Sequence, residues 1–573
     1  MTAQASTITP KTKMRPPAEV MRLACMGASF QTRISFMRRL IRRMYRERWR
    51  IKRTRLDLDD EGYGTALYVV TTPERCYSLV CFSHYLEPEH RVDRVIAEAW
   101  DTTFSLFDGV PTDADIDRLA KQTPKQEAGR FQASDLVISR ANKSLRLFGH
   151  VVNSLTQGGQ PNPDLIDAVG YLMRTTAVYA NGKFGTADRT RYADRPELAP
   201  PYQAEMLTVY LIRGFAVDLV EHLARCRAPD HAVTLDRRLK RHLGIGNATG
   251  LGMAPFLVSH PVLIHNWFHA RETALAKVRF LEIATPDRLA HFRTLLAQVE
   301  RHVAEWNVDD ELQTARIAAL REGLRLMTEW TAEGSDIFQG SAPWDALYRR
   351  AKGAVSIEGQ ELLVSLLLEP YPELINELGE ALQVDREEAF DPSMTVAEMR
   401  AIIDRHYDWA LAVDFGDPRE SQYFWYYSEE KMEPRRGTRR DELGAEKEMQ
   451  IAVARDVSAL RAALAEVHND ENMATFLMRH AELRHVTRRV QIGARYAYAE
   501  IRDNLIAASC GPIDILRGKL AFFGASKFDP KSDLWTRITM YQGAPLDDEL
   551  DRDDSDDWCF FPVKPVIEPC TSH

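Results

Sequence analysis

Thr65-Ala66-Leu67-Tyr68-Val69-Val70-Thr71-Thr72 and Cys76-Tyr77-Ser78-Leu79-Val80-Cys81-Phe82-Ser83-His84, parted by Pro73-Glu74-Arg75, decide the fold class expected of this chain. Both runs are rich in β-branched and aromatic residues, and they lie at hairpin distance from each other. Upstream, Asp59 to Gly64 is a turn cluster, and Arg50 to Leu56 partly alternates. Residues 48–85 therefore read as a small antiparallel sheet. Before it the period changes: Phe30, Ile34, Met37, Ile41 and Met44 fall at helical spacing, with arginines on the other face.

Downstream the pattern turns helical. Ser134 to Leu155, Pro163 to Ala180, Gln203 to Arg227, Pro261 to Glu282, Pro286 to Trp306 and Asp310 to Thr331 all read as helices. Asn162-Pro163-Asp164 and Thr285-Pro286-Asp287 are good helix starts, with proline at the first helical position and an acid just inside. The expected class is mainly α (α+β overall): a multi-helix body with a small antiparallel sheet built from N- and C-terminal segments. Along the chain this gives an arm (1–29), a basic helix plus the small sheet (30–87) and a helical body with a glycine-rich loop (88–384). An irregular and strand segment with a charged aromatic loop (385–440) follows. Long helices, an acidic linker and C-terminal strands (441–573) complete it.

Composition bounds the function. At 573 residues the chain exceeds one ordinary core. Hydrophobic residues at 45% and charged residues at 27% exclude global disorder, and a net charge of −9 excludes a generally basic nucleic-acid binder. The seven cysteines are scattered and never form a CxxC pair, which argues against a disulfide framework and a zinc ribbon. No apolar run approaches the ~20 residues of a membrane span. The acid-free residues 1–18 and the basic stretch Arg33 to Arg55 resemble a transit peptide in charge. That stretch runs into strand-like sequence rather than a cleavage site, so the expected location is cytoplasmic.

Three segments carry candidate chemistry. The first runs from Gly244 to Gly252, where Gly246, Asn247, Thr249, Gly250 and Gly252 suit a loop whose bare amides and side-chain donors face an anion. It lacks the lysine of a phosphate-binding P-loop. The helix-like sequence before it is wrong for a dinucleotide fingerprint. The bland alternative is a glycine-rich connection that lets helices pack closely. His260 precedes the next helix, which sets His265, His269 and Glu272 on one face. This spacing suits proton transfer or a divalent transition metal, the metal being the less favoured variant, and structural histidines are the plain alternative. It is not the zinc-protease pattern, because Asn266 follows His265.

The second segment, Trp425 to Gly437, places Tyr427 and Lys431 as proton carriers beside Arg435 and Arg436 as anion holders. A self-neutralised surface loop is the competing reading. The third adds Arg174 and Lys183 as further anion contacts around the helix end Asn181-Gly182. No G-x-S-x-G elbow occurs. The expectation is a metabolic enzyme acting on a small carboxylate or phosphate by acid–base chemistry, of lyase, isomerase or transferase type, as a homo-oligomer. The alternative is a regulatory protein that binds nucleic acid through Arg33 to Arg55, where Phe36, Tyr45 and Trp49 interleave the arginines.

Overall fold

Arg50–Leu58 (β1), Gly64–Thr71 (β2) and Cys76–Ser83 (β3) form the antiparallel meander that their alternating pattern requires, with Leu67 facing Val80 and Tyr68 facing Leu79. The computed structural model describes residues 13–90, 100–125, 132–175, 179–180, 194–247, 260–380, 382, 390–417, 424–428, 433–437, 448–449, 453–502, 512–530, 536–550 and 564–565. These belong to two compact units. The sheet unit comprises Ser35–Thr249, Phe523–Lys531 and Thr536–His573; the helical unit comprises Met1–Ile34, Gly250–Phe522 and Ser532–Trp535.

The small antiparallel sheet expected from the sequence is a large mixed one. It continues through Thr102–Asp108 (β4), Asp135–Lys143 (β5), Tyr171–Thr175 (β6) and Gly244–Asn247 (β8), then through Thr536–Met540 to Lys527–Pro530; Tyr179–Ala180 (β7) pairs with β5. Neighbours are antiparallel except β6 and β8, which run parallel. Helix still outweighs strand, 55% against 13%, so the class is α+β rather than mainly α. The error lies in the stretches read as helices from Ser134 and from Pro163. Each holds both a strand and a helix: β5 before Phe148–Thr156, and Pro163–Val169 before β6. Leu, Met, Arg and Ala inside β5 and β6 are helix formers, and sheet partners from separate stretches of the chain override that preference.

Both sheet faces are covered where the described chain allows a view. Phe215, on the helix Gln203–Arg227, meets Phe104 of β4 and Tyr68 of β2 edge-on, at 5.6 and 6.5 Å. On the opposite face Leu67, Val69, Val80, Phe82 and Phe107 pack with Ile116 and Leu119 of the helix Asp113–Gln122. Each such side chain contributes roughly 1.5–3 kcal/mol through burial. Thr112 starts that helix with a capping box, accepting from the Asp115 N–H while the Asp115 carboxylate accepts from the Thr112 N–H.

The basic N-terminal stretch has a structural account. Arg38, Arg39 and Arg42, on the helix Phe36–Arg46, are buried, while Lys52 and Arg53 stand exposed on β1. β1 is an edge strand, and charges on an edge discourage pairing with another sheet.

In the helical unit, Pro261–Arg279 is apolar almost all round and is buried among Pro343–Ala354, Ile357–Leu368 and Pro372–Glu380. Pro286–Ala304 and Glu311–Trp330 pack together, started by Thr285 and Asp310, whose side chains accept from the N–H groups of Arg288 and Gln313. A second core gathers Val396, Met399, Ile403, Tyr407, Leu460 and Phe476 from the following helices. Within the long helices expected beyond residue 441, the chain breaks at His480 into Met473–Arg479 and Arg484–Arg495. The strand Phe424–Ser428 lies between Glu433–Gly437 and Glu448–Met449, both antiparallel to it.

Candidate functional site

A strand turns alternate residues to one face, so a register fixes which side chains are neighbours. Asn142 of β5 stands opposite Arg174 of β6, Arg174 opposite Gly246 of β8, and Gly246 opposite Thr539. Two residues back along β5, Arg140 stands opposite Thr103 of β4. These residues share one face of the sheet. Apart from Gly246 they are polar, and Thr103, Asn142, Arg174 and Thr539 are each at most 9% exposed. A covered sheet face is ordinarily apolar, so a buried polar row is the informative feature of the unit.

The row is rich in donors. The Asn142 amide oxygen accepts from the Asp101 N–H at 3.1 Å, while its Nδ2 has no hydrogen-bond partner among the described residues. Trp100 Nε1 and the hydroxyls of Ser105 and Thr539 are likewise buried without a partner there. The Arg140 guanidinium lies 4.0 Å from the Trp100 ring centroid, a stacked geometry that keeps its charge beside the row. Buried donors left unmatched cost about 1–3 kcal/mol each, so this face is built to be completed by acceptors. His84 borders it, with Nε2 2.9 Å from Thr103 Oγ1, and burial holds its pKa below the ordinary imidazole value. A neutral imidazole at the Thr103 end of the row is able to take a proton.

Gly246 has a geometric role in the same row. A Cβ there would lie 2.8 Å from the Tyr171 ring, and at Gly244 it would lie 2.3 Å from the Met540 carbonyl oxygen. The glycines therefore serve close strand packing, and this part of the stretch is a strand where the sequence reading had a loop.

Of the residues expected to carry chemistry, Arg174 and Gly246 meet directly, and Asn247 pairs with Thr175 in the same strands. Asn247 points to the opposite face by alternation. Thr249, Gly250, Gly252, Lys183 and Lys431 lie outside the described residues. Tyr427 stands opposite Pro434, Arg435 opposite Tyr426 and Arg436 opposite Trp425 in the register of two antiparallel strands.

His260, His265, His269 and Glu272 belong to the helical unit. His260 precedes the helix Pro261–Arg279 as its N-cap residue, without a capping side-chain bond. The Tyr498 N–H donates to His265 Nδ1 at 3.0 Å, and the rings of His269 and Tyr496 lie 5.6 and 5.1 Å from that of His265. Burial, then the neighbouring His269, push the His265 pKa down to about 4. Glu272 is fully buried, and both its oxygens accept from Arg15, at 2.7 and 2.8 Å. Arg15 holds that carboxyl below its usual range against the desolvation that would raise it. Glu272 thus closes an ion pair and does not stand with His265 and His269 as a metal ligand. Among the described residues no three histidine, cysteine or carboxylate side chains gather as a metal set.

Sequence reading missed His84, Trp100, Arg140, Asn142 and Thr539. The signal was Ile138-Ser139-Arg140-Ala141-Asn142, where two polar residues alternate with smaller or apolar ones. At helical spacing Arg140 and Asn142 face different ways; only as a strand do they share a side. No helix among the described residues is long and apolar enough to cross a membrane. In comparisons with known families, curated proteins and solved structures, nothing matches the chain.

Proposed function

We propose that this protein is an enzyme acting on a small carboxylate or phosphate by acid–base chemistry, of lyase or transferase type. Its anion lies on the polar sheet face between Arg140 and Arg174, accepting from Asn142 Nδ2 and Trp100 Nε1. His84 is the proton acceptor. One observation carries the reading: buried donors that lack partners among the described residues sit in the same row as two arginines. Guanidinium groups and amide donors together match the oxygens of a carboxylate or phosphate. The low pKa of His84 keeps it in the base form at neutral pH. The nucleic-acid alternative draws no support from the helix Phe36–Arg46, since Arg38, Arg39 and Arg42 are inside the unit.

The test is proton NMR of mixtures of small carboxylates and phosphorylated metabolites with the purified protein. One compound is expected to broaden on binding and then to convert. His84→Asn should bind it without converting it, and Asn142→Ala should bind it more weakly. If no anion broadens, or if binding is unchanged in both Arg174→Gln and Asn142→Ala, the reading fails.

A further inference from the structure

The sheet unit also holds a cavity of about 1190 Å³, separate from the polar row in the residues that line it. The Gly158–Pro163 turn, the middle of the helix Gln203–Arg227, the segment Val233–Lys240 and Leu546–Asp548 enclose it. Arg53, Arg213, Arg237, Arg238 and Lys240 line it against Asp218, Asp236, Asp547 and Asp548. Most of its cations have a carboxylate partner: Arg53 has Asp218, Arg237 has Asp548, Arg238 has Asp236 and Lys240 has Glu221. Arg213 is 4% exposed, and its guanidinium donates to the carbonyls of Leu243, Arg241, Ala544 and Pro545 at 2.7 to 3.0 Å. Its charge is therefore held by neutral dipoles, without a carboxylate hydrogen-bonded to it among the described residues.

Beside it, Arg237 offers its fork to Asp548. The two carboxylate oxygens accept at 2.6 and 2.7 Å, while Arg237 Nε donates to Glu549 at 2.9 Å. This is the two-pronged geometry in which guanidinium groups hold phosphate. The pair is open to water, with side chains 49% and 59% exposed, so it is worth little and is easily exchanged. The partner arrives from the acidic run near the C-terminus, more than 300 residues along the chain.

The geometry points to a second ligand site: an organic phosphate whose phosphoryl group takes the place of the Asp548 carboxylate on Arg237, near the buried Arg213. The cavity is larger than a phosphate alone needs, since pockets for drug-sized ligands run about 300–1,000 Å³. The ligand's organic body would lie against Ile51, Leu211, Val217, Val233, Leu235 and Leu546. Asp548 then acts as an internal competitor, which a ligand must displace.

Isothermal titration with 1-naphthyl phosphate tests this, with 1-naphthol as the uncharged control. The wild-type chain is expected to bind the phosphate and not the naphthol. Asp548→Asn should tighten binding about tenfold by removing the competitor, and Arg237→Ala should abolish it. Both side chains are about half exposed, so neither change threatens folding. Asn142→Ala, on the polar row, should leave this binding unaltered, which separates the two sites. Absence of binding in both wild type and Asp548→Asn overturns the inference, as does binding that survives Arg237→Ala.

Discussion

Arg15 grips Glu272 with two hydrogen bonds, Nε at 2.8 Å and Nη2 at 2.7 Å, across 257 residues of chain. Its remaining Nη1 donates to Glu361 at 2.6 Å, and Glu361 is also paired with Arg271. The four charges are at most 5% exposed. Two cations and two anions so placed neutralise each other, and that is what makes their desolvation tolerable. Through this network the segment after residue 12 is anchored in the helical unit.

Removing one member should leave a buried charge uncompensated. Glu272→Gln or Arg15→Met is expected to lower stability by about 3–5 kcal/mol, measured by urea unfolding. The double change Arg15→Met with Glu272→Leu should cost clearly less than the sum of the two single changes, because both charges go together. Additive losses would show that the pair does not act as a unit.

His265 should make stability depend on pH in one direction. Its folded pKa of about 4 lies below the unfolded value of about 6.5, so the unfolded chain binds the extra proton first. Its contribution is complete above pH 6.5 and is lost as pH falls toward 4. Solvent access to the ring limits the loss to about 2 kcal/mol. A His265→Asn variant should show a flatter pH profile of unfolding over that window than the wild type.

The glycines of β8 should tolerate no side chain. Gly244→Ala drives a methyl into the Met540 carbonyl, and Gly246→Ala drives one into the Tyr171 ring. Overpacking of this kind costs about 1–3 kcal/mol. Gly244→Ala should be the worse, because a backbone oxygen yields less than a ring. Paired melting curves settle the order, and Gly246→Ala combined with Tyr171→Leu should recover part of the loss.

Ser105→Ala separates stability from function. The Ser105 hydroxyl is fully buried with no partner among the described residues. Losing an unmatched hydroxyl should raise stability, by about 1 kcal/mol. The same variant should bind the anion of the polar face no better than wild type. A destabilised Ser105→Ala would mean that the hydroxyl is satisfied in the folded chain.

Local physics made parts of this protein readable from its residues alone. The β2–β3 hairpin, the helix Gln203–Arg227 and the starts at Pro163 and Pro286 follow from side-chain period and capping chemistry within a few residues. Arg174 and Gly246 were also legible as candidates, one as a charge and the other as a bare backbone. Tertiary structure decided the rest. β5 and β6 are strands because partners across the sheet satisfy their backbone groups, and that outweighs a weak helix preference. Glu272 is an ion-pair partner because Arg15 reaches it from 257 residues away, which no spacing along one helix reports. The row joining Thr103, Arg140, Asn142, Arg174, Gly246 and Thr539 exists only in the register of strands from five separate stretches; no local pattern encodes a register between them.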